Sequence, residues 1–276
     1  MIDFLKNKLP SHLINYNKKV VDVKNVSKII KVIFEDNSLI ECDYLIISDG
    51  IFSKTRSLVT NKEIKPRYFN SITVRGTIDQ NDLRNINLNN ISLFLGSNLH
   101  SVTYPINNNG LVNFISILRK NLRAQDLTNY SLFESEDFIS SVLLEISKQI
   151  NPNIIKNLKD IKCFPIFVSS EIYQPMNKNI FLNGDAFFTF PPTFAQGASQ
   201  SIEIAHELYK NLEDQTGQFN HERIKRTKMI DKKSKLNYFI FHLSNPLMTT
   251  VRNLFMKNLV KNDKFINSYL GKIYKN

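Results

Sequence analysis

Short β-branched runs with partial apolar–polar alternation fill the earlier part of the chain, and helical spacing takes over toward its end. Ile2 to Leu9 reads as a short helix stopped by Pro10. Lys19 to Val26, Lys28 to Phe34 and Leu39 to Cys42 read as strands of a small antiparallel unit, with Glu35 to Ser38 as a turn. Asp43 to Ser48 is nearly continuous in apolar residues, the pattern of a strand buried on both faces of a parallel sheet. It stops at Asp49-Gly50, and Ser53 to Leu58 reads as a helical turn. Ser71 to Ile78, Ile91 to Leu95, Ser101 to Ile106 and Leu111 to Leu118 predict a β-rich middle, with a hairpin turn at Asn107 to Gly110. An amphipathic helix over Glu134 to Gln149, a short one over Asn153 to Leu158 and a strand over Ile161 to Ser169 follow. A final buried strand is expected at Ile180 to Leu182. From Gln196 the apolar positions Ala198, Ile202, Ala205, His206 and Leu208-Tyr209 recur at helical spacing. Two further helices run over Asn220 to His242 and Pro246 to Lys261, separated by Ser244-Asn245-Pro246.

Two strand ends carry candidate chemistry. After Ile180 to Leu182 come Gly184 and Asp185, where backbone can approach a ligand and a carboxylate can accept hydroxyl hydrogen bonds. Pro191-Pro192 stiffens the loop, and Gln196-Gly197-Ala198 opens a helix whose first turn offers unpaired N–H groups and a positive dipole end. Such a turn holds an anion or an electron-rich ring. The earlier strand ends at Asp49-Gly50, at the carboxyl edge where α/β sheets bind ligands. Arg56, six residues past Gly50, is a planar donor suited to phosphate; the alternative is a surface ion pair.

With 276 residues and 42% apolar content, the chain suits one large domain or two small ones. No run of ~18 apolar residues exists to span a membrane, and the first residues lack a signal-peptide layout. Cys42 and Cys163 match no metal spacing and read as reduced core residues. These features point to the cytoplasm. The net charge of +11 is spread out apart from the run His221 to Lys235, and no nucleic-acid motif accompanies it. It reads as solvated surface, with attraction to an anionic membrane surface as the second reading. The histidines form no cluster, and no metal set or Ser-His-Asp set stands out.

The string GDAFFTFPPTFAQGASQSIEIAHEL, from Gly184 to Leu208, resembles the second flavin-binding signature of the FAD-dependent aromatic hydroxylases. This family includes para-hydroxybenzoate, salicylate and ubiquinone-biosynthesis hydroxylases. CDYLIISDGIFSKTRS, from Cys42 to Ser57, resembles the family's middle segment through Asp43, Asp49, Gly50, Ser53 and Arg56. The resemblance implies an α/β fold, α+β in the stretch present here. A partial FAD-binding, Rossmann-like domain over residues 1–65 is followed by an antiparallel substrate-binding sheet over 66–170. The FAD-binding part returns over 171–215, and C-terminal helices occupy 216–276. It implies that Gly184 and Asp185 hold the ribityl chain of FAD. Pro192 and the backbone of Gln196, Gly197 and Ala198 then face the isoalloxazine, and Asp49, Gly50 and Arg56 serve the pyrophosphate side. HSVTYPINNNGLVNFISILRK looks like the family's substrate sheet, with Arg75, Tyr104, Pro105 and Pro191 as candidates to face a small aromatic or quinone-like substrate.

The chain departs from the family in two ways. Family members open with a strand, a Gly-x-Gly-x-x-Gly turn and a helix, whereas the only glycine before Gly76 is Gly50. The adenine half of the FAD site is therefore expected to be lacking. The sequence alone leaves open a truncated product, a mis-set start, one half of a split gene whose partner is a separately encoded N-terminal FAD-binding segment, or a decayed copy. Second, Phe188 stands where the family often has His. The expected activity is oxygen transfer to an aromatic or polyprenyl-quinone-like ring, with FAD as cofactor and NAD(P)H and O2 as co-substrates; no side chain reads as an obligatory acid or base. The alternatives are a flavin oxidoreductase without oxygenation, and a non-catalytic remnant or partner-completed subunit. Peripheral contact with a membrane is a further expectation, since some relatives act on lipid-tailed quinone precursors.

Overall fold

A computed structural model describes residues 2–26, 29–83, 90–106, 110–214, 219–269 and 271–274. In chain order the first elements are α1 (Ile2–Lys6), β1 (Val20–Val26), β2 (Ile29–Phe34), β3 (Leu39–Cys42), β4 (Leu45–Ile47) and α2 (Lys54–Thr60). Next come β5 (Arg67–Asp79), β6 (Ser92–Leu95), β7 (Leu99–Ile106), β8 (Leu111–Arg119), α3 (Ala124–Thr128), α4 (Glu136–Ser147) and α5 (Pro152–Lys156). The chain ends with β9 (Lys159–Val168), β10 (Ile180–Leu182), α6 (Gln196–Asp214), α7 (Phe219–Phe241), α8 (Pro246–Leu259), α9 (Asp263–Tyr269) and α10 (Gly271–Tyr274). Asn107 to Asn109 of the expected hairpin turn, and Lys28 at the start of an expected strand, lie outside the described residues.

The elements group into two compact units. The first comprises Met1–Pro66, Ser169–Thr189 and Gly197–Phe219. It contains the antiparallel sheet β1-β2-β3 and a parallel pair, β10-β4. Asn37, between β2 and β3, takes φ +61°, as turn asparagines do. The pair β4–β10 is in register as Leu45↔Ile180, Ile46↔Phe181 and Ile47↔Leu182. All three β10 residues are buried, but Ile46 is 48% exposed, so β4 is not covered on both faces as its apolar run suggests. Of the stripe expected on α6 only Leu208 is buried, together with Gln200 and Ile204; Ala198, Ile202, Ala205, His206 and Tyr209 are exposed.

The second unit comprises Arg67–Val168, Phe190–Gln196 and Asn220–Asn276. Its sheet runs β6-β7-β8-β5-β9 with antiparallel pairs throughout. Alternation gives the sheet two different faces. Ile72, Val74, Ile78, Leu99, Val112, Phe114 and Leu118 point to one side and join Val142 and Ile146 of α4 in the larger core. Ile117, Ile166, Val168 and Tyr238 form a smaller cluster. Cys163 lies in the larger core, and burial pushes its thiol up to about 11. Cys42 is only partly buried.

The basic run on α7 is not simply solvated. Arg223 is buried, the Arg226 guanidinium donates to Ile273 O (2.8 Å), and Lys233 Nζ donates to Tyr269 O (2.7 Å). The last two cations satisfy carbonyls of α10 and α9. Among the described residues no helix is long and apolar enough to cross a membrane.

Candidate functional site

The first unit brings the turn after β10 against the second turn of a long helix. β10 is followed by Asn183, whose N–H donates to Ile47 O (2.9 Å). Gly184 then takes φ +60°, and a Cβ there would stand 2.8 Å from Ser201 Oγ. The left-handed backbone disfavours a side chain here, and a Cβ would also make Ser201 of α6 shift. The N–H groups of Phe187 and Phe188 both donate to Gly184 O (3.0 Å), which closes a tight turn with Asp185 at its tip. Asp185 is exposed on one side. Desolvation by the protein around its other sides raises its pKa, partly opposed by the Thr189 hydroxyl. Close by in sequence, Asn183 Oδ1 is buried without a partner among the described residues.

Helix α6 begins from a strained residue. Ala195 has φ +53°, a left-handed backbone that L-residues other than Asn and Asp rarely adopt. Gln196 is buried, and Gly197, Ala198 and Ser199 are exposed. A Cβ on Gly197 would meet nothing within 4 Å, so the first turn of this 19-residue helix is open to a flat group. Its leading N–H groups carry the positive end of the dipole. Pro191 is buried and Pro192 exposed.

The Asp49 to Arg56 segment turns out to be a capped helix start. Ser53 is the N-cap of α2, its hydroxyl accepting from Arg56 N (2.9 Å), and Asp49 Oδ2 accepts from Thr55 N (3.3 Å). Gly50 takes φ +86° with open space beside it. Arg56 differs from both sequence expectations, phosphate donor and surface ion pair. It is 1% exposed; Nη1 donates to Ala186 O and Nη2 to Ile51 O, each at 2.8 Å. Burial lowers its pKa. The guanidinium therefore ties the loop after β4 to the turn after β10, and its fork geometry is spent on two carbonyls.

In the second unit, strand register sorts the expected substrate residues. Arg75 pairs with Ile115, Ile115 with Val102, and Tyr104 with Asn113, which places Arg75, Tyr104 and Asn113 on one sheet face. Pro105, one residue on, points to the other face, so it cannot line a surface with Tyr104. Arg75 is exposed and Tyr104 half-buried. Asn113 was not singled out by sequence, yet its Nδ2 is buried without a partner among the described residues. Also unforeseen is a buried pair, His100 Nδ1 to His242 Nε2 at 2.8 Å; burial lowers both pKa values, to about 4 and about 3. Residues so far apart in sequence gave no signal. Among the described residues no cluster of His, Cys, Asp and Glu suits a metal ion.

A family model described as FAD binding domain matches residues 15–226. Salicylate hydroxylase of Pseudomonas putida is 28% identical over 240 residues, covering 77% of this chain and 53% of that protein. 3-Hydroxybenzoate 6-hydroxylase 1 of Aquipseudomonas alcaligenes is 25% identical over 272 residues, covering 93% and 66%. The chain thus spans between about half and two-thirds of the length of these curated relatives. Among solved structures, Klebsiella pneumoniae HpxO complexed with FAD and uric acid superimposes with TM-score 0.77 at 17% identity, over 99% of this chain and 70% of that one. A salicylate hydroxylase substrate complex gives 0.74 at 16%, over 99% and 73%. These likenesses establish the fold.

The chain belongs to the FAD binding domain family, on a match covering well over half its length.

Proposed function

We propose that this member of the FAD-binding family is the larger part of a flavin-dependent hydroxylase acting on a small aromatic ring. Its relatives by sequence include salicylate and 3-hydroxybenzoate hydroxylases. The observation that carries the reading is the close approach of Gly184 to Ser201 of α6. It sets the Asp185 turn against a helix start that is open at Gly197. The residues present fit one end of FAD. Asp185 is a carboxylate for the hydroxyls of the ribityl chain, and Gly197 leaves room for the flat ring. The unpartnered Asn183 Oδ1 is a further acceptor.

FAD, when bound, supplies the redox chemistry, taking electrons from NAD(P)H and delivering an oxygen atom from O2 to the substrate. The chain's own residues bind and orient. Asp185 grips the sugar-alcohol tail, and the α6 dipole favours negative charge on the ring edge that it faces. Buried Phe187 and Phe188 keep the base of the turn free of water. In the second unit, Arg75, Tyr104 and Asn113 offer a cation, a phenol and an amide on one face for an aromatic acid or phenol. Asp49, Gly50, Pro191 and Pro192 remain proposed parts of the loops around the sites. The reading also assigns peripheral membrane contact to α8, whose Leu247, Val251, Leu254 and Phe255 are exposed at helical spacing.

Titration of the chain with FAD, read by flavin absorbance and fluorescence, tests the proposal. Asp185→Ala removes one charge-assisted contact, ~1.5–3 kcal/mol, and weakens binding roughly 10- to 100-fold. An unperturbed flavin spectrum at high protein concentration, or equal affinity in the variant, refutes the assignment.

A further inference from the structure

Apart from the candidate flavin turn, the first unit holds a second concavity, a cleft of about 610 Å³ between β1 and α2. Its lining falls wholly within residues 19–66. Local rules build its sides. Val20 pairs with Phe34 and Asp22 with Ile33, so Val21 is an extra residue on β1. Such a bulge re-aims a side chain and is over-represented beside sites; Val21 lines the cleft and is 43% exposed. α2 ends on Asn61, whose φ of +51° reverses the chain as a left-handed cap does. The returning segment bonds back to the helix, Ile64 N donating to Ser57 Oγ (3.4 Å), and buried Ile64 joins the lining. Phe52 and Leu58 add apolar surface, and Phe52 is 54% exposed. The cations around the cleft are not equivalent. Lys19 is paired with Glu35, and Lys65 with Glu63 (2.8 Å). Lys54 also lines the cleft, and among the described residues it has no ion-pair partner.

We infer that this cleft is a binding site for a small aromatic carboxylate, with the ring on Phe52 and Val21 and the carboxylate on Lys54. The lining chooses the occupant. Apolar sides with a few polar groups, in a volume of roughly 300–1,000 Å³, are the make-up of a small-molecule site. A neutral apolar molecule would leave Lys54 unanswered, and an inorganic anion would leave Val21 and Phe52 in water. An exposed phenyl ring favours a second ring packed offset or edge-on. The cleft also reaches the turn after β10 through the chain. Arg56 stands between the cleft residues Lys54 and Ser57, and its Nη1 donates to Ala186 O (2.8 Å), next to Asp185. An occupant that steadies α2 therefore steadies the turn that carries Asp185. The inference goes beyond the flavin reading, and its readouts need no flavin, so either can fail without the other.

The test titrates benzoate into the isotope-labelled chain and follows backbone amide shifts by NMR. The expected result is a Kd of about 1 mM, with the largest shifts at Val21, Lys54 and Ile64 and slower amide exchange at Phe187. Cyclohexanecarboxylate, alike in charge and size but without a π face, should bind ~3-fold or more weakly, and inorganic phosphate should move these amides little. Lys54→Glu reverses the charge at the first residue of α2, where an acid suits the helix. Val21→Glu sets a carboxylate on an exposed side of the cleft. Each should weaken benzoate binding ~5-fold or more, whereas Arg75→Gln, in the second unit, should leave it unchanged. No binding, shifts confined to the second unit, an equal response to cyclohexanecarboxylate or phosphate, or unchanged affinity in both folded variants of the cleft overturns the inference. Binding with unchanged exchange at Phe187 overturns the link to the turn.

Discussion

Replacing Arg56 by Met tests whether this residue is a tie inside the first unit or a contact for phosphate. The side chain is 1% exposed and gives two 2.8 Å hydrogen bonds to Ala186 O and Ile51 O. Its guanidinium also lies 5.7 Å from the ring centre of Tyr173. A hydrogen bond to a charged group contributes ~1.5–3 kcal/mol, so the two bonds together give about 3–6. Part of this is offset, because Met no longer has to bury a charge and water can reach the partly exposed Ile51. A net loss of about 3 kcal/mol remains. Arg56→Lys keeps the charge but is a point donor that reaches one carbonyl at a time, and should lose about half as much. Urea unfolding followed by circular dichroism measures this. With a slope of ~2 kcal/mol per molar, the transition of the first unit moves to lower urea by roughly 1.5 M for Met and half that for Lys. Amide exchange at Phe187, in the turn that Arg56 holds through Ala186 O, should quicken in the same order. A Met variant as stable as the parent but unable to bind FAD would refute the tie and restore the phosphate contact expected from sequence.

Two other expectations follow from the same geometry. Ala195→Gly relieves the left-handed strain of about 1–2 kcal/mol at some cost in chain entropy, so thermal unfolding should show a net gain of about 0.5–1 kcal/mol; a loss would mean that Ala195 is unstrained. The buried His100–His242 pair titrates lower in the fold, at about 4 and about 3, than the ordinary 6.5. The unfolded chain therefore binds more protons between these values, and the second unit should lose stability as pH falls from about 6.5 toward 3. His242→Gln, which cannot take a proton, should flatten that loss in denaturation measured across the range, and an unchanged slope would show that other groups carry it.

Most of the strands and the longer helices were legible in the sequence because they depend on local rules, whereas the short α3, α9 and α10 were not foreseen. The turn at Asn37, the buried run Ile180 to Leu182, the helical turn from Ser53 and the helix opening at Gln196 are each set by a few neighbouring residues. The family signature was legible for the same reason, as Gly184 and Gly50 are needed by the backbone itself. What the tertiary structure decided is which side of each element faces inward. The apolar positions of α6 predict a buried stripe through Ala198, Ile202, Ala205, His206 and Leu208-Tyr209, but of these packing buried only Leu208, beside Gln200 and Ile204. A helix with apolar residues on more than one side takes its phase from what lies against it. Register, not composition, put Tyr104 beside Asn113 and turned Pro105 away. Arg56 found its two carbonyls 5 and 130 residues away, a pairing that exists only once the chain has brought the two loops together. Hydrogen-bond partners for buried groups are long-range facts, and only the folded chain supplies them.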